Sequence, residues 1–209
     1  MAGFVTLSSR GLGHRPFTAV TRVRIPLGSH RRSTVQPLGA IQNATMPLEP
    51  PDQQHWQAAV GYVELGMFQD ANDQLEKIDP FNRAAPEVLA VRLGVYPGLK
   101  KWELMREIAK RLAEFQPNDI QWITSYAYAT RRAESIPAAK EILLNAEPKF
   151  PQEGIIKYNL ACYFCQIGDV QNAKIYLKKA FEIDLNWRMA ALDDEDLKPL
   201  WDSLCRTEL

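Results

Sequence analysis

A spacing of 34 residues runs through this chain without a gap. Residues 56–79 and 158–181 match in register: Ala59 with Ala161, Tyr62 with Phe164, Gly66 with Gly168, Ala71 with Ala173 and Leu75 with Leu177. Every pair is 102 residues apart, three steps of 34. One step back from the second set lie Ala127, Ala139, Leu143 and Ala146, and two steps back lie Leu93, Tyr96, Ala109 and Leu112. All are small or apolar. A period of this length marks an array of small units, each unable to bury its own apolar face, that must stack to make a core.

Within each unit the apolar positions follow two helical stripes separated by a turn. In the first unit Trp56, Ala59, Val60 and Val63 form one stripe, Gly66 the turn, and Phe68, Ala71, Leu75 and Ile78 the second, stopped by Pro80. The second unit sets Val88, Leu89, Leu93 and Tyr96 before a Pro97-Gly98 turn, then Trp102, Met105, Ile108, Ala109 and Leu112, with Pro117 closing. The third pairs Trp122, Ile123, Tyr126 and Ala127 with Ala139, Ile142, Leu143 and Ala146, ending near Pro148 and Pro151. The fourth pairs Ile155, Ile156, Tyr158, Leu160 and Ala161 with Ala173, Tyr176, Leu177, Ala180 and Phe181 across Gly168-Asp169. The alanines at 59, 127, 161, 71, 139 and 173 allow close helix approach, and Gly66 and Gly168 suit the left-handed backbone that ends a helix. Beyond the last unit, Leu197, Leu200, Trp201 and Leu204 fall at helical spacing behind Asp193-Asp194-Glu195-Asp196, an acidic run suited to a helix start.

This small–aromatic–Gly–Ala pattern over roughly residues 50–185 resembles the tetratricopeptide (TPR) repeat, and the ending resembles that of short bacterial TPR proteins. The expected fold is all-α: a right-handed superhelix of about four helix-turn-helix repeats (52–83, 84–117, 118–151, 152–185 within 46–192) and a C-terminal capping helix over 193–209. Met105 stands where Ala is usual, Glu134 where Gly is usual, and Leu185 where Pro is usual, so the middle units are degenerate.

Residues 1–45 are a different object. They hold six arginines and no Asp, Glu or Lys, while residues 46–209 carry a net charge of −6. An Arg-rich, acid-free leader is compatible with a mitochondrial transit peptide or a basic arm, but Gly11, Gly13, Pro16, Pro26 and Gly28 interrupt any amphipathic helix. Val23-Arg24-Ile25-Pro26 has a permitted back-translation, GTT-CGA-ATC-CC, that resembles the T-arm of a transfer-RNA gene. The expectation is a leader without fold or function ahead of a start at Met46. The rest then reads as a cytoplasmic chain, with mitochondrial targeting as the alternative.

Nothing in the chain points to catalysis. There is no GxGxxG, P-loop, GxSxG or HExxH, and no cofactor is expected. Cys162 and Cys165 form a CxxC, but beyond residue 45 the only histidine is His55 and the only other cysteine is Cys205. Zinc would need two more ligands, so the two thiols are expected to be small apolar fillers and no metal is expected. Asp193–Asp196 lacks the alternating ligands and the glycine of a calcium loop. No apolar stretch approaches the roughly 18 residues of a membrane span.

Resemblance to TPR proteins implies that the first helix of each unit lines a concave groove for a protein or peptide. Carried onto this sequence, that face comprises Gln53, Trp56, Val60 and Glu64; Glu87 and Ala90; Tyr128, Arg131 and Arg132; and Tyr158, Cys162, Cys165 and Gln166. The double arginine either anchors an acidic peptide or caps a helix end. The recurrent Lys/Asn set with which chaperone-binding TPR domains clamp a terminal carboxylate is missing. Two rival readings are a helical-repeat reader of single-stranded RNA, which the −6 charge disfavours, and an accessory subunit of an oligomer.

Overall fold

The computed structural model describes residues 48–205, with the side chain of Cys205 excepted. The expectations for the leader and for residues 206–209 fall outside the described residues. Paired helices dominate the rest: α1 (Asp52–Glu64) with α2 (Phe68–Leu75), α3 (Pro86–Gly98) with α4 (Trp102–Phe115), α5 (Ile120–Ala133) with α6 (Ile136–Ala146), and α7 (Gly154–Gln166) with α8 (Val170–Ile183). A short α9 (Asn186–Ala191), a 3-10 turn (Glu195–Leu200) and α10 (Trp201–Cys205) follow. No strand occurs among the described residues.

The 34-residue period is a period of burial. Ala59, Ala127 and Ala161 on the first helices are fully buried, as are Ala71, Met105, Ala139 and Ala173 on the second. Leu75, Ala109, Leu143 and Leu177, one step apart, are fully buried too. Met105 therefore takes the alanine's place inside the core, where an unbranched thioether adapts to its neighbours. Two clusters of buried side chains result, one from Ala59 to Ala129 and one from Ala127 to Leu204, and they meet on α5. That helix packs against α4 on one side and α6 on the other.

Local chemistry sets the helix ends. Gly66 and Gly168 hold φ of 73° and 84°. Asp119, Ser135 and Asp169 cap α5, α6 and α8, accepting hydrogen bonds from the backbone N–H of Gln121, Ala138 and Asn172. Asp52 lies in the first turn of α1, and its carboxylate accepts from Asp79 N at 3.0 Å and Asn82 Nδ2 at 2.7 Å, pinning the loop after α2.

The turn of the second hairpin differs from the expected Pro97-Gly98. Both residues belong to the last turn of α3, and the left-handed residue is Lys100, at φ 56°. Lys100 is one period beyond Gly66, so the backbone keeps the repeat where the residue type has lapsed. Gly98 serves another purpose: a Cβ there would sit 2.0 Å from the Phe68 ring, so its absence lets α2 and α3 close together.

The C-terminal segment also departs from the single capping helix. Pro199 and the Asp194 side chain, which accepts from Asp196 N at 3.0 Å, hold residues 195–200 as a 3-10 turn. Leu197 and Leu200 within it, and Leu204 on α10, are buried. Trp201 donates its indole N–H to Ala191 O at 3.0 Å, and Arg188 donates to Leu204 O at 3.0 Å, tying α9 and α10 together.

Candidate interaction groove

The residues that TPR resemblance assigns to a groove recur on the first helices one period or more apart: Trp56, Ala90 and Tyr158, then Val60, Tyr128 and Cys162. The two ends of this face have different surroundings.

Along α5 and α7 the face is covered by the chain's own residues 194–200. Arg131 donates both guanidinium arms to Asp196, at 2.5 Å to Oδ2 and 2.8 Å to Oδ1. Their side chains are only 8% and 9% exposed, so this is a buried, bidentate pair. Burial alone would lower the Arg131 pKa, but the bond and the attraction of Asp196 leave it above the usual value. The guanidinium also lies 5.4 Å from the Tyr163 ring centroid. Tyr158 donates its hydroxyl to Asp194 at 2.8 Å, and its ring stacks on Trp187 at 4.8 Å. The Cys162 thiol reaches the same Asp194 oxygen at 3.7 Å, and Gln166 donates to Asp196 O at 3.0 Å.

Thus Arg131, Tyr158, Cys162 and Gln166 converge on one acidic strip of the same polypeptide, Asp194-Glu195-Asp196. Cys165, on the same helix, is buried. The sequence alone makes the strip a helix start, and the structure makes it the counterpart of a buried arginine. A carboxylate placed 65 residues from its arginine leaves no local spacing signal.

Cys162, Asp194 and Asp196 are also the one group of ligand-type side chains, among the described residues, whose donor atoms all lie within 4.8 Å of one another. Both carboxylates already accept hydrogen bonds from the protein. Arg131 takes both oxygens of Asp196, while Asp194 receives Tyr158, Cys162 and the backbone N–H of Asp196. Burial, reinforced by the two carboxylates, pushes the Cys162 thiol well above its usual pKa, and burial raises Cys165. The donor set fits a hydrogen-bonded clasp better than a metal centre, and neither thiol is primed as a nucleophile.

Along α1 and α3 the face carries no such strip. Gln53 and Glu64 are exposed, and Trp56, Val60, Glu87 and Ala90 are half-buried. The Trp56 indole N–H donates to Glu87 O at 3.1 Å, setting the ring against α3. On α5, Tyr128 is buried and meets Trp102 edge-on, with centroids 5.8 Å apart. Arg132 is exposed, and its guanidinium lies 4.7 Å from the Trp102 ring centroid.

No family model matches the chain, and no curated protein matches it. Solved structures do. A point mutant of MamA aligns over 64% of this chain and 77% of its own, at 21% identity and a TM-score of 0.53. TTC0263, a thermophilic TPR protein in Thermus thermophilus, aligns over 74% of this chain and 98% of its own, at 18% identity and a TM-score of 0.53. A second MamA structure, from MSR-1, aligns over 77% and 100%, at 14% identity and a TM-score of 0.54. Identities this low speak for the fold alone. By that fold, with its paired helices in a 34-residue register, the chain is a TPR-like helical-repeat protein.

Proposed function

We propose that this chain is a non-enzymatic interaction scaffold that holds a partner polypeptide along the open, N-terminal part of its first-helix face. The observation that carries the reading is intramolecular. At its C-terminal end the same face already grips a polypeptide segment, residues 194–200, through an ion pair, side-chain hydrogen bonds and buried leucines. Because that end is filled, the partner occupies the stretch marked by Gln53, Trp56, Val60, Glu64, Glu87, Ala90 and Arg132. Half-buried Trp56 supplies the large rigid apolar contact that dominates such interfaces, and the small Ala90 lets a backbone approach α3.

A photo-crosslinking amino acid placed at Val60, at Ala90 or at Ile175 tests this in native cells. Ile175 is 52% exposed on α8, a second helix. Crosslinks to one polypeptide from 60 and 90, and none from 175, are expected. Equal yields at all three positions, or adducts to RNA, would overturn the reading.

A further inference from the structure

Arg131 and Arg132 are neighbours in sequence with opposite fates. The first is buried against Asp196, while the second is exposed and stacked on Trp102. Among the described residues, Arg132 has no carboxylate within ion-pairing distance. Two more exposed cations, Lys100 and Lys101, immediately precede the same tryptophan in sequence on the α3–α4 turn, and the Lys101 ammonium lies 5.9 Å from the Tyr96 ring centroid. Glu134, between α5 and α6, is engaged by Arg106 at 3.3 Å. Arg132 is thus a cation held in place by an aromatic face, with its hydrogen-bonding edge free for a planar acceptor.

We propose that Arg132, stacked on Trp102, anchors an acidic side chain of the partner polypeptide. This rests on the scaffold reading above. The chemistry is displayed one residue away, where Arg131 takes an aspartate from an acidic strip of this chain. The site continues that contact along α5, so a partner lying on the open face reaches it next to the filled end. The domain's overall negative charge does not forbid an acidic segment, because beyond about 8 Å physiological salt screens exposed charges and the local patch decides.

The test is a fluorescence-anisotropy titration of the full-length chain with a labelled Gly/Ser peptide carrying three aspartates. The same peptide with three asparagines and a labelled deca-thymidine strand serve as competitors in kind. Arg132→Glu should weaken the aspartate peptide about tenfold or more, the loss of one charge-assisted contact. Lys178→Glu changes net charge equally on exposed α8 and should alter binding less than about twofold, as a remote surface charge. Equal weakening by both variants, equal binding of the asparagine peptide, failure of the aspartate peptide to bind, or preference for deca-thymidine would each overturn the anchor. Crosslinks from Val60 are independent of this result: if they persist while the anchor fails, the scaffold reading stands without it.

Discussion

Removing the carboxylate of Asp196 is expected to cost more stability than any surface ion pair in this protein. The pair it forms with Arg131 is bidentate and nine-tenths buried on both sides. Truncation to Ala leaves a guanidinium buried against Tyr163 without the bidentate partner that holds it, and breaking a buried pair in this way costs about 3–5 kcal/mol. That is a large share of the roughly 5–15 kcal/mol by which a domain is stable. The remaining bonds of the strip, from Gln166 to the Asp196 carbonyl and from Asp196 N to Asp194, do not need the lost carboxylate. The loss should therefore be recoverable. Replacing both partners, Arg131→Met with Asp196→Leu, removes the stranded charge along with its partner, and should return the protein to within about 1 kcal/mol of wild type. Urea unfolding followed by circular dichroism on the four members of the cycle measures both quantities. A double variant that loses the sum of the two single losses would refute the clasp, as would Asp196→Ala unfolding within about 1 kcal/mol of wild type, the ceiling of an exposed pair.

Three further outcomes concern the clasp and the hairpin turns. Burial raises the Asp194 carboxyl above its ordinary 3.8, outweighing the hydrogen bonds from Tyr158 and Asp196 N that favour its charge. The folded state thus holds this proton more tightly than the unfolded state, so its contribution is fully present below about pH 3.8 and is lost as pH rises through the raised value. Asp194→Asn should consequently gain stability relative to wild type as pH climbs through that window. Melting temperatures of the two proteins across the window check this, and a constant or inverted difference would contradict it. Asp52 and Asp169 shift the opposite way through bonds from their asparagine neighbours, but they are common to both proteins and cancel. At the hairpin turns, Gly168→Ala should destabilise by about 1–2 kcal/mol, because its φ of 84° penalises a Cβ although nothing lies within 4 Å of one. Lys100→Gly at φ 56° should stabilise by a few tenths to about 1 kcal/mol for the converse reason. Urea midpoints that move the other way would show that the turns, and not the residues, set these angles.

The repeat is readable because stacking imposes it on every unit. A residue at the 59 or 71 position meets the same neighbouring helix in each hairpin, so selection for small or apolar side chains recurs at 34, and burial follows it down the column. Where one requirement can be met in more than one way, the spacing loses force. The third hairpin does without glycine at 134 because Glu134 turns at φ −129°, outside the left-handed region, and the second uses Lys100 in the left-handed region while Gly98 answers the Phe68 ring. The strip at 194–196 is opaque for a different reason. Its leucines announce a buried face, but acidic residues ahead of a helix are ordinarily solvated, and nothing local distinguishes a carboxylate that faces water from one that faces a buried arginine. The consequence reaches the groove. On α5, consecutive residues point about 100° apart, and that rotation alone sends Arg131 into the clasp and Arg132 to the surface. Substitutions at 131 should therefore register in unfolding, and those at 132 in binding. A charge reversal of both together, the intuitive probe of a double arginine, would confuse a loss of fold with a loss of partner.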